Sequence, residues 1–366
     1  MLEKLGTTTD IFEKFTELNV VIVGDVMIDR YWHGKVTRIS PEAPVPVVEL
    51  QRTEDRLGGA ANVALNIAAL GATPYLFSAI GADTEGADFL ELMTNNNLST
   101  LGLHQIEGRP TTVKTRIMAG TQQMLRVDNE VTTDLDVENR LAFVAKLSAF
   151  LAKTKVDVLI FQDYNKGVLT AETIKNVMAE AQKHNIPTTV DPKRHNFLAY
   201  EGATLFKPNL KEIRDAVDFA VKPELDSLLH VTAFLHTHLQ NRLTMITLSE
   251  KGLFLGETML PKANPASSVD IFDHSEMSKM TETTDIAKIT EGVLFPTQTR
   301  HISDVSGAGD TVISVASLCL AAKTDNRTLA VLSNLAGSQV CELAGVVPVN
   351  RAQLKTEFLT LNGLKS

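Results

Sequence analysis

The sequence predicts an α/β protein: a doubly wound, mostly parallel sheet with helices on both faces, and a small β-sheet lid beside it. Three observations carry this expectation. The stretch NVVIVG at 19–24 is apolar throughout, as befits a strand buried on both faces. From residue 157 onward, short β-branched runs alternate with longer helix-period segments. Two segments, 35–52 and 108–128, break that rhythm and read as extended or alternating chain, so they are assigned to the lid.

Taken in order, Gly24 closes the first strand. The stretch KVTRISPEAPVPVVEL carries Pro41, Pro44 and Pro46, which forbid a central strand and favour an edge strand or an extended flap. Residues 59–70 read as a helix closed by Gly71, and TPYLFSAIG as a second strand. Within 111–128, Val113, Thr115 and Ile117 share one face and Lys114, Arg116 and Met118 the other, which predicts a hairpin turning near Gly120. Further strands are expected at 157–161, 186–190, 203–206 and 243–248. Helices are expected at 138–153, 171–184, 210–219, 224–240, 308–322, 326–343 and 350–361. The polar, Ser- and Thr-rich stretch 257–290 reads as a long surface loop. The whole chain, 1–366, reads as one domain with the lid inside it.

Composition bounds the function. Hydrophobic residues make up 44% and charged residues 22%, which suits a packed core. A net charge of -9 argues against a nucleic-acid partner, which needs a basic face, yet a few Lys or Arg side chains can still hold a small anion. Cys319 and Cys341 lie in apolar helical runs and read as buried thiols of a reducing compartment. His230, His236 and His238 do not share a helix face, so no metal site is expected from them. No run reaches the ~18 apolar residues of a membrane span, and the N-terminus lacks a secretory pattern. The expected location is the cytoplasm.

The stretch DVSGAGDTVI at 304–313 concentrates chemistry. Gly307, Ala308 and Gly309 let backbone amides approach a ligand at a helix start, where free N–H groups favour an anion. Asp310 follows in the first turn, where it either charges the helix start or accepts a proton from a hydroxyl. A second glycine site, RLGGAANVALNIAALGA, places Asn62 on an otherwise apolar helix, where a polar side chain needs a partner. Asp25 and Asp29, in GDVMIDRYW, follow the first strand, at the sheet end where ligands of open α/β folds bind.

Together, GGAANVALNIAALG and DVSGAGDTVI resemble the two signatures of the ribokinase-like (PfkB) carbohydrate kinases. The stretches GDVMIDRYWHG, RISPEAPVPVV, QDYNKGVL, DPK and PNLKE resemble, more narrowly, the D-glycero-D-manno-heptose-7-phosphate kinases. The cytidylyltransferase-like module to which such kinases are fused in many bacteria, with its HxGH-type motif, has no counterpart in this sequence, so a stand-alone kinase is expected. The resemblance implies ATP- and Mg2+-dependent phosphorylation of the C1 hydroxyl, giving the 1,7-bisphosphate for ADP-heptose and lipopolysaccharide core synthesis. It extends to a monovalent cation such as K+.

The same resemblance implies residue roles. Asp310 is the base, and Gly307, Ala308 and Gly309 form the anion hole. Asp29, Gly58, Gly59 and Asn62 hold sugar hydroxyls. Asn209 and Glu212 lie near the phosphates, with Glu212 reaching Mg2+ through water. Thr247, Ser249, Lys251, Gly252 and Asn334 contact the nucleotide. The substrate phosphate needs cations, for which Lys193, Lys166, Arg116 and Arg38 are candidates. Gln162 departs from the smaller or acidic residue often found there. An uncovered lid would expose sheet edges and an apolar face, so a homodimer through the lids is expected. A PfkB-type kinase acting on ribose or a fructose phosphate, or a catalytically silent sugar-binding protein, are the alternatives.

Overall fold

The computed structural model describes residues 8–258, 290–297, 302–343 and 345–361. Its strands are β1 (Asn19–Gly24), β2 (Val26–Ile39), β3 (Pro46–Gly59), β4 (Thr73–Gly81), β5 (Leu103–Ile106), β6 (Val113–Ala119) and β7 (Gln122–Asn129). They continue as β8 (Val158–Gln162), β9 (Thr188–Asp191), β10 (Leu205–Phe206), β11 (Leu243–Thr247), β12 (Leu253–Thr258) and β13 (Thr290–Phe295). The helices are α1 (Thr8–Phe15), α2 (Ala60–Ala69), α3 (Thr84–Asn95), α4 (Val137–Leu151) and α5 (Ala171–Lys183). After them come α6 (Leu210–Ala216), α7 (Leu225–Leu239), α8 (Ala308–Ala321), α9 (Asn326–Val340) and α10 (Arg351–Leu361).

Among the described residues, nine strands form one sheet in the order β13-β12-β11-β10-β9-β8-β1-β4-β5. Every pairing from β5 to β11 is parallel, and β12 and β13 add an antiparallel edge. The alternation of a strand explains the two cores. Val20 and Ile22 of β1 pack on one face with α2, α8 and α9, while Val21 and Val23 pack on the other with α4, α5 and α7. No helix of the described residues is long and apolar enough to cross a membrane.

The second sheet has the order β3-β2-β6-β7. It starts earlier than the proline-rich segment suggests, because β2 begins at Val26, with the single residue Asp25 between it and β1. β2 is an interior strand there, pairing with both β3 and β6. The prolines are accommodated without conflict: Pro41 and Pro44 sit in the turn, and Pro46 opens the edge strand β3. Sequence periodicity left out α1, α3, β5 and the edge pair β12–β13. Of the expected loop 257–290, Glu257 and Thr258 belong to β12, Thr290 opens β13, and the rest lies outside the described residues. Cys319 is buried as expected, but Cys341 is only half-buried, because it caps the C-terminal end of α9 at a cavity wall.

Candidate active site

Parallel strands leave their carboxyl ends side by side. Gly24 of β1 lies opposite Gln162 of β8, which lies opposite Asp191 of β9. The chain at or just past the ends of β8, β9, β10 and β11, and the start of α8, bound a cavity of about 570 Å³. That volume suits a small-molecule site.

The start of α8 depends on Gly307, the N-cap, which has φ +80°. A Cβ there would also lie 2.9 Å from Asn62 Nδ2, so glycine answers both backbone and space. Asp310 enters the first turn with its carboxylate almost fully buried. Three side chains donate to it. Asn62 Nδ2 reaches Oδ2 at 2.7 Å, Gln162 Nε2 reaches Oδ1 at 3.0 Å, and the Tyr164 hydroxyl reaches Oδ1 at 2.7 Å. Burial pushes its pKa up to about 6, against the hydrogen bonds from Asn62 and Tyr164 and the Lys207 charge, and with the Asp191 charge. A carboxyl so tuned can accept a proton near neutral pH.

Lys207 follows β10 and is itself buried, with Nζ 3.1 Å from Asp191 Oδ2. A Cβ on Gly309 would lie 3.7 Å from that ammonium, so the missing side chain leaves the helix start open to it. Thus a buried cation, first-turn amides and a carboxylate share one end of the cavity. These are groups that fit a phosphoryl donor.

The neighbouring wall is built from Asn209, Thr247, Ser249, Gly252 and Asn334. Asn209 caps α6 in a reciprocal box: its Oδ1 accepts from Glu212 N at 2.8 Å, and Glu212 Oε2 accepts from Asn209 N at 2.9 Å. Glu212 Oε1 pairs with Lys193. Both oxygens of Glu212 are engaged, so neither is free for a direct bond to Mg2+, and only a contact through water is left to it. Burial opposes the Lys193 charge, but Asp191 and Glu212 outweigh it and hold its pKa above the ordinary value. Lys193 Nζ also lies 5.5 Å from the Tyr164 ring centre. Asn334 Nδ2 donates to Pro296 O at 2.9 Å, so it also fixes the end of β13. Lys251, expected here, is exposed and off this wall; Glu250 takes its place.

Toward the second sheet, Asp29 is buried and pairs with Arg116 Nη1 at 2.5 Å. A Cβ on Gly58 would collide with the Asp29 carboxylate, so that glycine makes room for it. Gly59 is the N-cap of α2, and Asn62 directs its amide to Asp310. Arg56 and Arg116 lie 5.0 and 5.3 Å from the Tyr31 ring centre. Lys166 Nζ pairs with Glu130 at 2.7 Å, which also holds Lys114. Arg38 stands apart, exposed near the far end of β2.

Asp25 takes a structural part: its carboxylate accepts backbone N–H groups of Tyr164, Lys166 and Val168 at 2.9 to 3.0 Å. Sequence reasoning did not single out Tyr164, Asp191, Lys207 or Arg56. The first three had a usable signal, since each ends or follows a predicted parallel strand.

Comparison with known proteins decides the family. The model of the pfkB family of carbohydrate kinases matches residues 17–273. The chain belongs to this family. Among its relatives, the bifunctional protein HldE of Pseudomonas aeruginosa PAO1 is 37% identical over 346 residues, covering 93% of this chain and 64% of that protein. HldE of Methylobacillus flagellatus is 35% identical over 339 residues, covering 93% and 63%. This kinase therefore spans about 63–64% of the length of those relatives. Phosphofructokinase-2 from Escherichia coli in complex with potassium superposes with a TM-score of 0.69 at 16% identity, covering 94% of this kinase and 99% of that chain. Arabidopsis thaliana ribokinase complexed with ribose and ATP gives 0.63 at 13% identity, covering 92% and 98%. These likenesses establish the ribokinase-like fold, and the family establishes a sugar kinase.

Proposed function

We propose that this kinase transfers the terminal phosphoryl group of ATP to the C1 hydroxyl of D-glycero-D-manno-heptose 7-phosphate. The product, the 1,7-bisphosphate, feeds ADP-heptose and lipopolysaccharide core synthesis in the cytoplasm. The observation that carries the reading is Asp310, a carboxylate with a pKa near 6, beside a glycine-opened helix start and the buried Lys207.

In this reading Asp310 takes the proton of the attacking hydroxyl. The amides around Gly307, Ala308 and Gly309, with Lys207, receive the charge of the phosphoryl group. Phosphoryl transfer asks for positioning and charge neutralisation more than strong base chemistry. Asn209, Thr247, Ser249, Gly252 and Asn334 seat the nucleotide, and Glu212 orients water around Mg2+, which neutralises phosphate charge when bound. A monovalent cation such as K+ belongs to the same reading. Asp29, Gly58 and Gly59 hold sugar hydroxyls. Arg116, Arg56 and Lys166, with Lys193, supply the positive charge that a sugar phosphate needs; Lys251 and Arg38 are left out of the assignment.

The lid sheet supports a homodimer. Trp32, Ile117 and Leu125 lie in register across three strands. Trp32, Leu125 and Val127 are exposed, while the alternate residues Asp29, Tyr31, Arg56 and Arg116 make the charged contacts just described. An exposed apolar face opposite a working charged face is the natural contact for a second copy.

The test is ADP release with ATP, Mg2+ and a panel of sugars. Turnover on the heptose 7-phosphate, lost when the phosphate is removed, supports the reading. Turnover only on a fructose phosphate or on ribose overturns the substrate, and no turnover on any sugar favours a silent binding protein.

A further inference from the structure

Gln162 is the departure that the functional reading leaves unused. It is 1% exposed and ends β8. Its Nε2 donates to Asp310 Oδ1 at 3.0 Å and to Asp191 Oδ2 at 3.2 Å, tying the carboxylate of α8 to the Asp191–Lys207 ion pair. Among the described residues its Oε1 has no hydrogen-bond partner. An orphaned buried acceptor is costly, and turning the amide round would aim that oxygen at two carboxylates instead. The carboxylates therefore dictate the amide's orientation.

The donors around Asp310 are unevenly shared. Oδ1 receives two, from Gln162 and Tyr164, while Oδ2 receives one, from Asn62. A carboxylate oxygen has about two lone-pair sites. Counting donors among the described residues, Oδ1 is filled and Oδ2 has one site left.

We infer that Gln162 is a positioning residue that fills Oδ1 of Asp310, fixes the carboxylate's orientation and leaves Oδ2 as the oxygen that takes the acceptor's proton. The inference rests on Asp310 being the base. The titratable and charged groups facing Asp310 are Tyr164 from the chain after β8, Asp191 and Lys193 at the end of β9, and Lys207 after β10. Among the described residues, only Gln162 joins Asp310 to Asp191 through a side chain that carries no charge of its own.

The experiment compares wild type, Gln162→Met, Gln162→Glu and Asp310→Asn. The Asp310 carboxyl is titrated by NMR in protein labelled with 13C at aspartate Cγ, its signal assigned by its loss in Asp310→Asn. Rates are measured over pH 5–9 on the sugar that wild type phosphorylates, and folding is checked by thermal unfolding. Removing a donor from a carboxylate raises its pKa. In Gln162→Met the midpoint and the acid limb should therefore both rise by about half to one unit. The kcat should fall about 10- to 100-fold through misplacement of the base, with KM for ATP within about twofold. In Gln162→Glu the loss should be deeper at pH 8 and shrink as pH falls, because a protonated Glu donates again.

A folded Gln162→Met with the wild-type midpoint and kcat overturns the inference, as does a loss confined to KM. If Gln162→Met fails to fold, Gln162→Glu decides: recovery toward low pH supports the inference, and a parallel fall with wild type overturns it. An active Asp310→Asn removes the base assignment and this inference with it. An inactive Asp310→Asn beside an unaltered Gln162→Met removes the inference alone.

Discussion

An aspartate in the first turn of a helix usually does no more than answer the helix dipole. Asp310 is set apart by burial and by three side-chain donors brought from two distant parts of the chain. Its pKa of about 6 gives the reaction an acid limb: the base works deprotonated, so kcat/KM should hold above pH 6 and fall about tenfold per unit below it. Asp163 is raised to about 6 as well, by burial and by the Asp25 charge, but its carboxylate faces Tyr200 and Asn196. Asp163→Asn should leave the limb where it is, whereas Asp310→Asn should lower kcat about 10²- to 10⁴-fold above pH 6 and lose the limb itself. A pH–rate profile of both variants checks this. Asp310 and its glycines were legible in the sequence because helix-start chemistry is local. The Asp310 partners were not, since Gln162 lies 148 positions away and no periodicity links a strand end to a helix start.

Elements were legible where their pattern was their own. The apolar β1 and the small-residue helices α2 and α8 declare themselves, and the turn near Gly120 separates β6 from β7 as expected. The antiparallel edge β12–β13 was missed because its strands are set by pairing, β12 with β11 and β13 with β12, rather than by a strong alternation. Two glycines at element ends carry testable demands. Gly307→Ala meets both a positive φ and the Asn62 amide, and should destabilise the protein by about 1–3 kcal/mol, read by urea unfolding. Gly58→Ala forces the Asp29 carboxylate aside. It should raise KM for the sugar about tenfold or more while KM for ATP stays close to wild type, because the cost falls on one hydrogen-bonded carboxylate.

For the whole molecule, the decisive surface is the outer face of the lid sheet. Trp32→Glu together with Leu125→Glu should convert a dimer to a monomer in light scattering, since two buried like charges per copy oppose the contact. A wild type that is monomeric at micromolar concentration removes the dimer. The sequence foresaw a small sheet beside a large one, but placed its start too late. Nothing in GDVMIDRYW marks the single residue at which one sheet ends and the other begins.

That residue is Asp25. It sits between β1 and β2 and grips the backbone at three points from Tyr164 to Val168. Mechanically it is a rivet at the root of a long cantilever. A ribbon clamped this way should hand a load at its tip to the loop that carries Tyr164 and Lys166. Asp25→Ala should draw the rivet, and hydrogen exchange at the amides of Tyr164, Lys166 and Val168 should quicken together. The lid and the loop that carries Tyr164 and Lys166 are moored to a single carboxylate.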